Sequence, residues 1–219
     1  MKTTKTDREQ SLNSNEFVWD TTSNTEVHNY VYPILKKWIK QDGASSLLDL
    51  GCGNGSLTGL FSEDGLLCNG TDFSESGIKI AQKAFPKVNF FQSAMEKELP
   101  ENHHAKYDVV ISVEVIEHLL LPRQLFDRAK EALKPNGSFI ITTPFHGFWK
   151  NIALALTNSF DKHWHPLRDY GHVKFFSEAT LSQLFFEQGF EILDIKRVGR
   201  IPMFARSMVI KGRLINKSL

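Results

Sequence analysis

The sequence predicts an α/β fold with a mostly parallel sheet, helices on both faces and an antiparallel last strand. Three observations predict it. From residue 45 onward short apolar runs alternate with stretches of helical periodicity, the pattern of a parallel sheet covered on both sides. The first apolar run stops in a glycine turn, Gly51-Cys52-Gly53-Asn54-Gly55, which opens a helical stretch. The last two runs, at 191–198 and 207–211, leave no room between them for a crossover helix, so they should pair antiparallel.

Taken in order, a helix is expected over 25–40, where Val27, Val31, Ile34, Leu35, Trp38 and Ile39 recur at helical spacing with Pro33 inside as a kink. A strand follows at 45–50, then the glycine turn and a helix from 56 to 61. The alternation repeats as a strand at 66–71, a helix at 75–85, and strands at 88–92 and 107–113. Residues 121–133 read as a helix, ended by Lys134-Pro135-Asn136-Gly137 ahead of a strand at 138–143. A helix at 180–188 has Gly189 at its C-terminal end. Residues 146–170 fit no element and exceed the length of a usual connection, which marks a functional insertion. Residues 1–24, rich in Thr, Ser and Asn, are expected to form a flexible arm, with Phe17 and Trp19 as exceptions. That leaves 25–219 as one domain.

Composition narrows the function classes. The 219 residues carry 26 Lys+Arg against 25 Asp+Glu, with 41% hydrophobic and 23% charged residues, as in an ordinary globular domain. Collagen-like, disordered and disulfide-scaffold chains are excluded. A net charge of +1 leaves no basic excess for broad phosphate neutralisation, so nucleic acid is not the expected partner. Cys52 and Cys68 lack zinc or disulfide spacing and read as reduced thiols. The longest apolar candidate, 145–160, is broken by His146, Lys150, Asn151 and Asn158 and does not reach the roughly 20 residues of a membrane span. With a polar N-terminal stretch, a cytoplasmic protein is expected, and peripheral membrane contact stays open.

Two constellations carry chemistry. Glycines in the turn after the first strand let a ligand approach bare backbone, and Asp72 closes the next strand about 20 residues on, where nucleotide-binding folds place an acid for ribose hydroxyls. A tight turn beside an incidental acid is the plain alternative. A nicotinamide dinucleotide site wants GxGxxG, whereas GxGxG preceded by Asp49 favours a ligand without a pyrophosphate. The second constellation is Glu114-Val115-Ile116-Glu117-His118. If this stretch is helical, positions 114, 117 and 118 share one face, and two crowded carboxylates need solvent, protons or a cation. Mg or Mn suits the oxygens and Zn or Fe the histidine; solvated acids beside a helix-capping histidine are the other reading.

DLGCGNG at 49–55, Asp72 within GTDFS, the strand YDVVISVEV and the turn KPNGSFIITTP resemble class I S-adenosylmethionine-dependent methyltransferases over about residues 25–212. The resemblance implies a Rossmann-like methyltransferase fold and S-adenosyl-L-methionine as cofactor. It would set Gly51, Gly53 and Gly55 against the methionine part, Asp49 at the amino group and Asp72 on the ribose, with Phe73, Ala94, Met95 and Val113 as further contacts. Ser93-Ala94-Met95 departs from the pattern, since many members carry an acid there facing the adenine amine.

EVIEHL is similar to the segment of ubiquinone-pathway O-methyltransferases and of small-RNA 3′-terminal 2′-O-methyltransferases in which Glu, Glu, His and a distant His bind a divalent ion. That implies a metal (Mg, Mn or Zn) on Glu114, Glu117, His118 and His172, the last chosen over His163 and His165 because HVKFF at 172–176 matches this branch. Without a metal, His118 or His172 would be the general base. The aromatic stretch through Phe148, Trp149 and Phe160 to Trp164 suggests a lid or pocket for a small aromatic or lipophilic acceptor, or packing over the sheet edge. Trp19 and Tyr30 would close over the cofactor or simply pack. An RNA 3′-end enzyme and a cofactor-binding protein without transferase activity are the alternatives. A nicotinamide oxidoreductase would need a GxGxxG turn, which GxGxG at 51–55 does not supply.

Overall fold

The computed structural model describes Trp19, Thr21, Ser23 and residues 25–164 and 166–215, with Lys162 traced in its backbone. Most of the expected arm, Phe17 and His165 lie outside the described residues. The helices are α1 (Glu26–Gln41), α2 (Ser56–Glu63), α3 (Glu75–Ala84), α4 (Arg123–Ala132), α5 (Phe148–Leu156), α6 (Phe160–Trp164) and α7 (Glu178–Glu187). The strands are β1 (Ser46–Leu50), β2 (Leu67–Asp72), β3 (Asn89–Gln92), β4 (Tyr107–Val113), β5 (Leu133–Pro144), β6 (Phe190–Val198) and β7 (Ser207–Leu214).

These strands form one seven-stranded sheet in the order β3-β2-β1-β4-β5-β7-β6. Strands β3 to β5 run parallel, and β7 is antiparallel to both β5 and β6. The chain leaves β1 toward one edge and returns through β4 toward the other, so β1 and β4 flank the switch point where open α/β sheets hold ligands.

Alternation along the central strands makes the two cores. Leu47, Val109 and Ile111 face α1 and α2 with Leu35, Trp38 and Phe61, whereas Leu48, Leu50 and Val110 face α4 and α7, because successive side chains in a strand point to opposite sides. The second core is centred on Phe126, Phe139, Phe185 and Phe190; Phe126 and Phe185 meet edge-on with ring centroids 5.0 Å apart. Each such ring contributes about 1.5–3 kcal/mol by leaving water. Helix α1 continues through Pro33, and α7 starts at a Ser177–Thr180 capping box, in which each side chain takes the other's backbone N–H.

Two expectations need correction. The predicted helix over 121–133 ends at Ala132, and Leu133 already pairs with Tyr107 in β5. Residues 134–137 then bulge out, with Asn136 at φ +65, before Ser138 pairs with Val109. Pairing with β4 thus overrides the breaker residues, which make a bulge instead of a stop. The insertion at 146–170 contains α5 and α6, although α5 buries none of its side chains and its N-cap Gly147 makes no side-chain cap bond. Without a buried stripe or a capping residue, periodicity had nothing to register. No helix among the described residues is long and apolar enough to cross a membrane.

Candidate active site

The turn after β1 is built from backbone conformations that favour glycine: Gly51, Gly53 and Gly55 have φ of +84, +53 and +73. The N–H groups of Gly51 and Cys52 both donate to the Thr71 carbonyl, tying the turn to the end of β2. Asp72 is buried there, and its two oxygens accept from the N–H of Gly53 (2.8 Å) and of Ser74 (2.9 Å). A carboxylate has further lone pairs, so the ribose role read from sequence is compatible with a second, structural one. Asp49 is buried beneath the turn and accepts from Thr58 Oγ1 (2.7 Å). Burial, with the Asp72 charge adding to it, lifts the Asp49 carboxyl to about 7. Burial likewise pushes the Cys52 thiol up, which keeps it protonated.

The remaining expected cofactor contacts lie at or just past the carboxyl ends of β2, β3 and β4. Val113 ends β4, Phe73 stands exposed just past Asp72, and the Ser93 N–H donates to the Asp72 carbonyl, which brings Ala94 and Met95 to the same edge. Val115 packs on Gly51, and the Trp19 ring lies directly on Gly53 and Gly77. Trp19 is therefore placed over the glycine turn. Tyr30 lies elsewhere, its hydroxyl 3.4 Å from Ser207 Oγ.

At the end of β4 the expected helix does not form. Glu114 has a φ of +55 and only Ile116–His118 coils, as a single 3₁₀ turn. The left-handed residue breaks the i, i+3, i+4 register. Glu114 accepts from Thr142 Oγ1 (3.1 Å) and from Ser207, and burial raises its carboxyl to about 7. Glu117, His118 and His172 do come together, with one ligand atom from each within 4.8 Å of the others. The long-range histidine is delivered by backbone pairing: the N–H groups of Val173 and Lys174 both donate to the Glu117 carbonyl (2.9 and 3.0 Å). His163, the competing choice, packs instead against His146, with ring centroids 5.2 Å apart.

The polar atoms of this cluster are set for a ligand. His118 Nδ1 lies 2.8 Å from the Tyr170 carbonyl oxygen and must donate to it, so Nε2 is left as the basic nitrogen. Glu117 is buried; Oε2 accepts from Thr143 Oγ1 (2.9 Å), while Oε1 has no partner among the described residues. Burial and the nearby Glu114 raise the Glu117 carboxyl, and burial lowers the imidazole of His172 to about 4. A buried, unpartnered carboxylate oxygen beside two unprotonated imidazoles is a donor set for a cation.

Sequence reasoning missed Thr142 and Thr143, which hold the two glutamates. Their signal was present as two hydroxyls at the carboxyl end of an otherwise apolar buried strand. A further missed set is Lys150, Arg200 and Arg206, which line a cavity next to the cluster and come from separate segments with no local signature.

A glycine turn after β1, a buried acid ending β2 and a polar cluster just past β4, at the switch point of a seven-stranded sheet, make the architecture of a class I methyltransferase. A family model for a methyltransferase domain matches residues 26–195, and the chain belongs to that family, the S-adenosylmethionine-dependent methyltransferases. Among its relatives is the ubiquinone biosynthesis O-methyltransferase of Leptothrix cholodnii, 30% identical over 209 residues, spanning 90% of this chain and 88% of the relative. The enzyme of the same name from Aromatoleum aromaticum is 23% identical over 192 residues, 84% and 82% of the two chains. In fold the chain is similar to the PH0226 protein of Pyrococcus horikoshii OT3 (TM-score 0.70, 19% identity, 94% and 99% covered). It is also similar to the magnesium protoporphyrin IX methyltransferase of Synechocystis PCC 6803 with bound SAH (TM-score 0.65, 18% identity, 84% and 82% covered).

Proposed function

We propose that this methyltransferase acts on an oxygen of a small aromatic or lipophilic acceptor, with a divalent cation held by Glu117, His118 and His172. The observation that carries this reading is the buried Glu117 carboxyl, whose Oε1 has no partner among the described residues and one of whose oxygens lies within 4.8 Å of a nitrogen on each of the two imidazoles. One carboxylate with two imidazoles leans toward Zn or Mn over Mg. When bound, such a cation lowers the pKa of an acceptor hydroxyl and orients it. Glu114, read from sequence as a fourth ligand, is not in the group whose ligand atoms lie within 4.8 Å of one another and is left out of the set.

The chain's own residues supply the rest. Methyl transfer is an in-line displacement, so the turn at Gly51–Gly55 and Asp72 hold the sulfonium nucleoside while the β4 cluster positions the nucleophile within about 3–3.5 Å. Thr143 fixes the Glu117 carboxylate and the Tyr170 carbonyl fixes the His118 ring. A small acceptor, not nucleic acid, is supported by the cavity of about 470 Å³ beside the cluster. Exposed Phe148, Trp149 and Leu156 on α5 fit peripheral contact with a membrane.

The test is methyl transfer from labelled cofactor to catechols and quinols, with chelator and with added Zn, Mn or Mg. Activity should vanish in chelator and return with metal, and Glu117→Ala should lower it by about 10²–10⁴-fold with cofactor affinity unchanged. Full activity in chelator would remove the cation and leave His118 Nε2 as the general base.

A further inference from the structure

The cavity beside the donor cluster is lined in a way that an apolar acceptor does not explain. Among the described residues three cations, Lys150, Arg200 and Arg206, line it against one carboxylate, Glu114. Arg206 is already answered by an ion pair with Glu26, which is not a lining residue. Lys150 is fixed in place: Nζ donates to the carbonyl of Phe145 (2.7 Å) and to that of Ala205 (3.3 Å). Neither carbonyl carries a countercharge. Arg200 is exposed at the cavity and makes no ion pair among the described residues. The two cations are close enough that burial and the charge of Arg200 pull the Lys150 ammonium down to about 8, so it remains charged at neutral pH. Glu114 offsets this only in part, since its carboxylate is engaged by Thr142 and Ser207 and burial raises its own pKa.

Holding two cations together at a small-molecule cavity costs free energy until an anion enters. A guanidinium beside an ammonium matches a planar carboxylate, which can accept from both. Leu154 and Phe204 give the same cavity apolar wall, and His172 lines it while belonging to the donor cluster.

We infer that this cavity seats the acceptor and that Lys150 and Arg200 bind a carboxylate on it, which makes the acceptor a hydroxylated aromatic acid rather than a neutral ring. The inference rests on the methyl-transfer reading for the role of the hydroxyl, not for the anion site itself. The carboxylate lies at the cationic end, the ring against Leu154 and Phe204, and the hydroxyl toward His172.

The experiment is calorimetric titration of the protein saturated with S-adenosylhomocysteine, using 3,4-dihydroxybenzoate and its uncharged amide as probes, followed by methyl-transfer assays on the same pair. The acid should bind about tenfold more tightly than the amide. Arg200→Gln, a change at an exposed side chain, should bring that ratio to within about twofold while amide affinity stays put, and Lys150→Met should do the same. Equal affinity for acid and amide in the wild type, or a ratio unchanged in both variants, overturns the inference. Preferential binding of the acid with no methylation of either probe would uphold the anion site and count against oxygen methylation. Methylation of both probes without preference would do the reverse.

Discussion

The tips of β1 and β4 sit side by side at the switch point of the sheet, yet they are finished to different degrees. At β1 the two carboxylates are answered from within the chain: Asp72 by the N–H groups of Gly53 and Ser74, Asp49 by Thr58. At β4 the Glu117 carboxylate keeps one buried oxygen without a partner and His118 leaves Nε2 bare. The first tip is a cradle that holds its shape before a ligand arrives. The second keeps an oxygen of Glu117 and a nitrogen of each of His118 and His172 within 4.8 Å of one another, with Glu117 held by Thr143 and His118 by the Tyr170 carbonyl. Binding sites that recognise a nucleoside gain from the first arrangement; sites that bind a cation need a donor lone pair left free, as at the second.

The largest effect expected from this contrast comes from Glu117→Gln. The amide keeps the volume and the Thr143 bond, removes the buried carboxylate, and can donate to His118 Nε2. Activity should fall by about 10²–10⁴-fold, whereas the protein in chelator should gain about 1–3 kcal/mol, since burial raises the Glu117 carboxyl above its ordinary value. The sign follows from proton linkage: the native state holds a proton that the unfolded chain releases above about 4.5, so the native glutamate weakens folding as pH rises past that point. Thermal unfolding in chelator at pH 7 checks it. An unchanged or lowered midpoint would mean that the Glu117 pocket is as complete as the one at Asp72.

Next comes Asp72→Ala. From sequence alone this acid is a ribose contact and nothing more. The structure gives it two backbone N–H groups to satisfy, so the variant should lose cofactor affinity by about 100-fold and also about 1–3 kcal/mol of stability from the orphaned donors. Calorimetry and thermal unfolding measure the two losses. A variant with normal stability and weak binding would show that the cradle does not depend on Asp72 for its shape.

This double duty shows where the sequence is transparent and where it is not. The strand of β4 and the glycine turn were readable because their signals are local: an unbroken apolar run and three glycines within five residues. Glu117 and His118 were readable for the same reason. The departure of Glu114 was not, because it depends on a left-handed φ at a non-glycine residue whose carboxylate is held by Thr142 and Ser207 from two other strands. His172 came from resemblance alone, since what places it is a pair of backbone bonds to Glu117 across more than fifty residues. Lys150 and Arg200 meet only through the packing of the insertion against the β6–β7 connection, which no periodicity records. The bulge at 134–137 failed for the opposite reason: its local signal was strong, and pairing of Leu133 with Tyr107 overrode it.

The smallest predicted effect tests whether the β1 cradle is complete even in charge. Burial holds the Asp49 carboxyl near 7, with Asp72 adding to the shift, so in the free protein Asp49 is protonated below that value and anionic above it. The cofactor carries an ammonium and a sulfonium, and it favours the ionised form; binding therefore expels a proton when pH is below about 7. Affinity for S-adenosylmethionine should rise about tenfold between pH 6 and pH 8 and level off beyond. Asp49→Asn should flatten that profile at the low-pH affinity, because the amide keeps the Thr58 contact and cannot ionise. Titrations in buffers of different ionisation enthalpy would count the proton released. A flat wild-type profile would place Asp49 outside the electrostatic reach of the cofactor and leave it a purely structural partner of Thr58.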